Sequence, residues 1–153
     1  SLSKFHGNNE NSGLFDYLAG VIPFYIKNYG IDGARIDMAH ALPDKLNRKI
    51  VAKIHDADSG FILWSENLDP AAGSKAKAEG YRLISGFSYY DYKHADSACF
   101  NRNILCGGFL KSDLPVTASL ETPDTPRFAY IHKNVRLRNL LAILNAFMPN
   151  SAT

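Results

Sequence analysis

The stretch YGIDGARIDMAH, residues 29–40, determines the predicted fold of the chain. Gly30 can adopt the left-handed backbone conformation that closes a helix. Residues 31–37 then predict a short, largely apolar strand that ends in polar side chains. Arg35 and Asp37 lie two positions apart on this strand, so they point to the same face. Because an unpaired charge is costly to bury, the pair indicates a functional site, with a structural ion pair as the alternative.

Helical and extended patterns alternate along the rest of the chain. Helical spacing and composition predict helices over residues 14–28, 43–54, 70–79 and 137–148. Apolar runs predict strands over residues 31–37, 61–64, 83–90 and 115–120. This alternation is typical of parallel βα units, in which each helix connects one strand to the next.

Details of these segments lead to further expectations. Pro23 should kink the first helix or begin its second half. The run at 61–64 is apolar throughout, which favours a strand covered on both faces. The last helix carries an amphipathic stripe, formed by Leu137, Leu140, Leu141, Leu144, Phe147 and Met148. Residues 95–110 favour a helix broken at Gly107 and Gly108.

The spacing of acidic residues indicates how much of a barrel the chain holds. Asp37 and Glu66 are 29 positions apart, and Glu66 and Asp124 are 58 positions apart, which is twice that interval. An eight-unit barrel has about 250 residues, or roughly 31 per unit, so this chain holds about five units or fewer. The predicted fold class is therefore α/β, a partial TIM (β/α)8 barrel. Both ends of the chain look like loops, which suggests a piece of a longer protein.

Composition excludes several classes of function. The chain has 153 residues, 46% of them hydrophobic and 21% charged, as in an ordinary globular domain. A net charge of +2 is too small to predict a nucleic-acid surface, and no apolar run is long enough to predict a membrane span. Cys99 and Cys106 lack metal-site spacing and read as free thiols, with a disulfide as the alternative. We therefore expect a cytoplasmic protein with no metal and no cofactor.

Three acidic residues follow predicted strands, namely Asp37, Glu66 and Asp124. The carboxyl ends of parallel strands share one face, and that face carries the active site in such folds. Converging carboxylates repel one another, which favours one protonated and one ionised group, as glycosidic bond cleavage requires. Arg35 would keep Asp37 ionised as a nucleophile, whereas Trp64 would desolvate Glu66 and favour its acid form.

Three segments resemble the α-amylase superfamily of glycoside hydrolases and transglycosylases. DGARIDMAH, at 32–40, is similar to the fourth-strand motif of that family, which implies that Asp37 is the nucleophile. LWSEN, at 63–67, resembles the fifth-strand segment and implies that Glu66 is the general acid/base. ETPDTPR, at 121–127, resembles the seventh-strand segment and implies that Asp124 stabilises the transition state. The resemblance covers nearly the whole chain, which would lack the first strands and the last strand of the barrel.

The resemblance also implies the substrate and the residues that bind it. It predicts a retaining hydrolase or transglycosylase acting on α-1,4-glucans or maltooligosaccharides, with Arg35, His40, Trp64 and Arg127 binding substrate. Thr122-Pro123-Asp124 replaces the family's usual Asn-His-Asp, and His40 follows Asp37 by three positions instead of four. Both departures are similar to maltosyltransferases that use maltose 1-phosphate, which is one alternative function.

Other interpretations of the same residues stay open. The chain could be a non-catalytic half-barrel that at most binds glucan. As part of an enzyme, it would need the rest of the barrel for turnover. A metal hydrolase using Asp37 and His40 would lack further ligands. Glu66 could be an acid at a helix start, and Asp124 could cap a helix near Thr125. Arg127 could be an ordinary surface residue or a phosphate ligand.

Overall fold

The computed structural model describes residues 9–86, 109–117 and 119–152. Strands and helices alternate along these residues. The helices are α1 (Ser12–Tyr29), α2 (Asp44–Ala57), α3 (Gly73–Ala78), α4 (Phe128–Ile131) and α5 (Val135–Ala146), with 3-10 turns at Ala39–Ala41 and Pro70–Ala72. The strands are β1 (Gly33–Ile36), β2 (Ile62–Ser65), β3 (Leu83–Ile84), β4 (Val116–Thr117) and β5 (Ser151–Ala152).

The strands form one sheet in the order β1-β2-β3-β4-β5, and every neighbouring pair is parallel. Each strand therefore pairs with the next one along the chain, as in consecutive βα units of a barrel. The four predicted strands are present. β1, β3 and β4 are shorter than predicted, whereas β2 has the predicted length and is shifted by one residue. The predicted alternation of helices with parallel strands is confirmed.

A fifth strand was not predicted. The sequence indicated that the chain ends in a loop and lacks the last strand, whereas Ser151 and Ala152 pair with Val116 and Thr117. These two small residues carry no apolar run, so the local sequence contains no strand signal. Residues 151 and 152 form a strand because they pair with β4.

The core lies on one side of the sheet, where the helices pack. Leu63, Ile84 and Val116 are fully buried there, together with Ile54 of α2 and Leu141 of α5. Ile84 pairs with Val116, and Leu63 lies two positions before Ser65, which pairs with Ile84. The three side chains therefore share one face of the sheet. The helix-facing side of the sheet is therefore the packed interior of the described residues.

In the part of the chain that the structure describes, the opposite face of the sheet is only partly covered, which corrects one prediction. The strand at 61–64 was expected to be covered on both faces, but Ile62 is 47% exposed and Trp64 is half-buried. Neither side chain belongs to the core formed by the described residues. Ile62 and Trp64 point away from the helices, to the side that a closed barrel would enclose.

Helix α1 is continuous through Pro23 and ends as predicted. The Asn11 side chain accepts a hydrogen bond from the Leu14 backbone N–H at 3.0 Å and caps the first turn. Pro23 lies inside the helix and does not begin a second one. Gly30 has φ 64° and closes the helix through its N–H to the Ile26 carbonyl.

Both terminal helices expose apolar side chains. On α1 the exposed large apolar residues include Tyr17, Phe24, Tyr25 and Tyr29. On α5 the predicted stripe is only partly buried. Leu141 and Met148 are in the core, whereas Leu140 and Phe147 are exposed, the latter at 83%. Leu140 and Phe147 lie on a flank of α5 that no described residue covers.

Some predictions fall outside the described residues. These include most of the helix predicted over 95–110, the end of the strand predicted over 83–90, and both cysteines. Within the described ranges, no helix is both long enough and apolar enough to span a bilayer.

We predict that Gly86→Ala destabilises the fold by about 2 kcal/mol or more. Gly86 has φ 61°, and an added Cβ would lie 2.5 Å from Cγ1 of Val116, which is buried in β4. Gly20→Ala is the matched control, because Gly20 lies inside α1 with nothing within 4 Å of an added Cβ. It should stabilise the protein by about 0.5–1 kcal/mol. Urea unfolding midpoints measure both changes, and equal effects would contradict the assignment of strain to Gly86.

Candidate active site

The ends of β1 and β2 bring the first two predicted acids together. Ile36 pairs with Ser65, so the next residues along each strand, Asp37 and Glu66, emerge side by side. The Glu66 backbone N–H donates to the Ile36 carbonyl at 3.1 Å and extends the pairing by one residue. Both acids therefore lie at the carboxyl edge of the sheet, where sequence analysis placed them.

Arg35 holds both acids. Its Nη1 lies 2.8 Å from Asp37 Oδ1, and its Nη2 lies 2.6 Å from Glu66 Oε1. One planar guanidinium thus pairs with two carboxylates, which a lysine ammonium could not do in the same fixed geometry. The side chain of Asp37 is 73% exposed and that of Glu66 is 14% exposed. Asp37 is thus open to an incoming molecule, and Glu66 is enclosed by protein.

The turn after β1 also holds Glu66. Met38 has φ 48°, which is uncommon for a residue other than glycine. Its backbone N–H donates to Glu66 Oε2 at 2.7 Å, so both carboxylate oxygens of Glu66 accept a hydrogen bond. Two residues further on, His40 Nδ1 donates to the Glu66 carbonyl at 2.9 Å. A carbonyl only accepts, so this bond places a proton on Nδ1.

Trp64 lies against Arg35. The register of β1 and β2 pairs the two residues, and the Arg35 Cζ is 5.5 Å from the centre of the indole ring. This distance is within the range of a cation–π contact. The indole Nε1–H donates to Ser85 Oγ at 3.0 Å. Trp64 therefore contacts Arg35 and Ser85, and its predicted desolvation of Glu66 stays a prediction.

Asp124 lies in the same cleft as Arg35, Trp64 and Glu66. The cleft has a volume of about 320 Å³ and is lined by residues of β1, β2 and β4 and by residues that follow β2, β3 and β4. The Asp124 backbone N–H donates to Thr122 Oγ1 at 3.3 Å, which shapes the turn that presents the carboxylate. Asp124 does not cap a helix near Thr125, because α4 begins at Phe128.

Glu121 is the acid whose side chain binds a backbone N–H at the start of α4. Sequence analysis did not single it out. It accepts a hydrogen bond from the Phe128 backbone N–H and pairs with Arg127 Nη1 at 2.8 Å. The Phe128 N–H, with the Arg127 guanidinium second, holds the pKa of the Glu121 carboxyl below its ordinary value. The signal that the sequence offered for this role was the position of Glu121 shortly before a helical segment.

Two of the predicted substrate residues lie outside the cleft. Arg127 is paired with Glu121 and is not among the residues that line the cleft. His40 lines a smaller cavity behind Glu66, together with Asn47 and Ser65. Among the residues that the structure describes, no three His, Cys, Asp or Glu side chains cluster closely enough to hold a metal ion.

Comparison with known proteins was informative only at the level of structure. No protein-family model and no curated protein matches the sequence. The chain aligns with a crystal structure of an α-amylase from Anoxybacillus at a TM-score of 0.65 and 20% identity, covering 85% of this chain and 30% of that one. It aligns with an α-amylase from Malbranchea cinnamomea at a TM-score of 0.69 and 20% identity, covering 91% of this chain and 31% of that one.

The chain has the fold of part of an α-amylase. The predicted fold class, a partial (β/α)8 barrel, is confirmed, and the resemblance to the α-amylase superfamily is confirmed at the level of fold. This chain spans less than a third of the length of either solved structure. The catalytic roles of individual residues stay predictions.

We predict that Glu121→Gln removes part of the acid sensitivity of the fold. The pKa of Glu121 is lowered in the folded state, so its carboxylate contributes stability above its ordinary pKa. This contribution is lost as the pH falls through the lowered value. The variant should therefore be less stable than wild type at neutral pH, and the two should converge in acid. Chemical unfolding across this pH range measures the difference.

Arg127→Ala is the control for the cause of this shift. The Phe128 N–H is the larger cause and survives that substitution, so most of the pH dependence should remain. If Arg127→Ala removed more of the pH dependence of stability than Glu121→Gln does, the Phe128 N–H would not be the main cause of the lowered pKa of Glu121.

Proposed function

We propose that this chain is part of the catalytic barrel of a retaining enzyme that acts on α-1,4-glucans. Asp37 is the nucleophile, Glu66 the general acid/base, and Asp124 the carboxylate that stabilises the transition state. The observation that supports this most is the Arg35 guanidinium, which joins Asp37 and Glu66 at the carboxyl ends of parallel strands. Asp124 lines the cleft that Arg35 and Glu66 also line.

In the proposed first step, a carboxylate oxygen of Asp37 attacks the anomeric carbon. The glycosidic C–O bond breaks, its electron pair goes to the leaving oxygen, and Glu66 gives that oxygen a proton. Both Glu66 oxygens accept hydrogen bonds in the described arrangement, from Arg35 and from the Met38 N–H. Substrate must therefore replace one of these two donors when a protonated Glu66 faces the leaving oxygen.

In the proposed second step, water or a sugar hydroxyl attacks the glycosyl–Asp37 ester. Glu66 takes the proton of the attacking hydroxyl, and the Asp37 carboxylate is released. Retaining enzymes hold the two carboxyl groups about 5–5.5 Å apart, and a shared guanidinium is compatible with such close spacing. Arg35 and Trp64 lie at the cleft and contact the sugar in this proposal. His40 is held through Nδ1 by the Glu66 carbonyl, and Arg127 is held through Nη1 by Glu121. A sugar contact in this proposal would therefore use His40 Nε2 and the other Arg127 N–H groups.

The proposal assigns turnover to a complete barrel. The chain covers 30% and 31% of the two solved α-amylases, and the inner face of its sheet is open at Ile62. We use "parent protein" for the polypeptide with a complete barrel that would carry this chain. The open face also favours a second candidate, a non-catalytic half-barrel that at most binds glucan.

We predict that Asp37→Asn and Glu66→Gln each lower maltooligosaccharide turnover by the parent protein at least about a thousandfold, since each removes a group that takes part in bond-making. The first product should keep the α configuration, which NMR of the fresh reaction mixture measures. Asp56→Asn, on the exposed side of α2, is the matched control and should keep wild-type turnover. Wild-type turnover in either site variant would contradict the proposed roles.

The same assay separates the candidate reactions. Release of reducing sugar from glucan indicates hydrolysis, elongation of maltooligosaccharides indicates transfer, and release of phosphate from maltose 1-phosphate indicates the maltosyltransferase alternative. Binding of glucan with none of these products would favour the non-catalytic half-barrel.

We predict that the isolated chain releases no reducing sugar and self-associates as its concentration rises. Its open sheet face and the exposed apolar side of α1 favour association. Ile62→Lys and Phe24→Lys, one on each surface, should lower the apparent mass in sedimentation experiments. Ala52→Lys, at an exposed position of α2, is the control and should not. A monomeric chain with glucan-hydrolysing activity would overturn this prediction.

A further inference from the structure

Ser85 connects β3 to the charged centre of the cleft through Trp64. Its hydroxyl accepts the hydrogen bond of the Trp64 indole N–H at 3.0 Å. The indole ring in turn lies beneath the Arg35 guanidinium, whose two nitrogens hold Asp37 and Glu66. A line of direct contacts therefore runs from the third strand to the two acids that follow the first and second strands.

Ser85 itself is held on both sides. Its backbone N–H donates to the Ser65 carbonyl at 3.1 Å, and its carbonyl accepts from Thr117 Oγ1 at 3.2 Å. The next residue, Gly86, donates its N–H to the Asn67 carbonyl at 2.8 Å. Ser85 is 9% exposed. The hydroxyl is therefore presented from a backbone that both neighbouring strands fix.

The Ser85 hydroxyl is the hydrogen-bond partner of the polar edge of Trp64. The indole has one hydrogen-bond donor and no acceptor, so a single partner decides which way its polar edge points. Trp64 is half-buried and does not belong to the core of the described residues.

We propose that Ser85 is a positioning residue, whose hydroxyl fixes the Trp64 indole as the platform on which Arg35 aligns Asp37 and Glu66. The effect on catalysis rests on the proposed function, whereas the effect on Trp64 does not. Ser85 belongs to no sequence motif, and its neighbours Ile84 and Gly86 do not indicate a functional site in the sequence. Only the pairing of β2 with β3 brings it to Trp64.

The chain offers a direct readout, because Trp64 is its only tryptophan. Fluorescence of the purified chain, at concentrations below those of self-association, reports on this ring alone. Ser85→Ala should raise the acrylamide quenching constant about twofold or more, since one hydrogen bond no longer limits opening of the ring. Ser85→Cys keeps the size and a weak acceptor, so its quenching constant should lie between the two.

Ser112→Ala is the matched control for loss of a buried serine hydroxyl. Ser112 is 7% exposed and accepts a hydrogen bond from the Leu114 N–H, away from Trp64. Its substitution should lower the unfolding midpoint and leave the quenching of Trp64 unchanged. If Ser85→Ala does not fold, Ser85→Cys carries the test. A folded Ser85 variant with wild-type quenching would overturn the proposal.

A double-mutant cycle in the parent protein tests the link to catalysis. Ser85→Ala should lower kcat/KM about fivefold, the effect of one neutral hydrogen bond. In a Trp64→Phe background, which has no indole N–H, it should change kcat/KM little. Equal losses in both backgrounds would overturn the positioning role. A parent protein with no glucan activity would refute the proposed function, and the quenching result would still decide the role of Ser85.

Discussion

The shared guanidinium of Arg35 is the interaction on which the rest of the site depends. Two carboxylates this close repel each other, and a single cation between them offsets that repulsion. Arg35 can reach both because its planar fork offers two nitrogens on one edge. The arrangement also explains why an arginine stands two positions before an acid, since that spacing puts both side chains on one face of β1.

This interaction is a consequence of strand register. Arg35 opposes Trp64, and Ile36 opposes Ser65, so Glu66 emerges beside Asp37. A slip of one residue in β2 would turn Trp64 to the helix side and bring Leu63 to the cleft. Leu63 is fully buried among helix residues, so that slip would expose a large apolar side chain. Core packing on one face of the sheet therefore sets the geometry of the charged residues on the other.

The sequence predicted those features that depend on local patterns. The cap at Gly30, the helix α2 and the strands β1 and β2 each have a signal within a few residues. Contacts between distant segments were not predictable in this way. Glu121 was missed in its role at α4, and Ser85 was missed altogether. The open face at Ile62 was also missed, because an apolar residue in a strand does not say what will cover it.

The charges around the cleft bear on which substrate it suits. Among the charged residues that line the described cleft, Arg35 already has two acidic partners, and Glu121 is engaged by the start of α4. Asp124 adds a further negative charge to the same surface. A cleft with an excess of carboxylates favours a transition state that gains positive charge at the anomeric carbon. Under the proposed function, the same excess of carboxylates would repel a phosphate group, which favours an uncharged glucan over maltose 1-phosphate as the proposed substrate. Arg127 does not supply the missing positive charge, because it lies outside the cleft and pairs with Glu121.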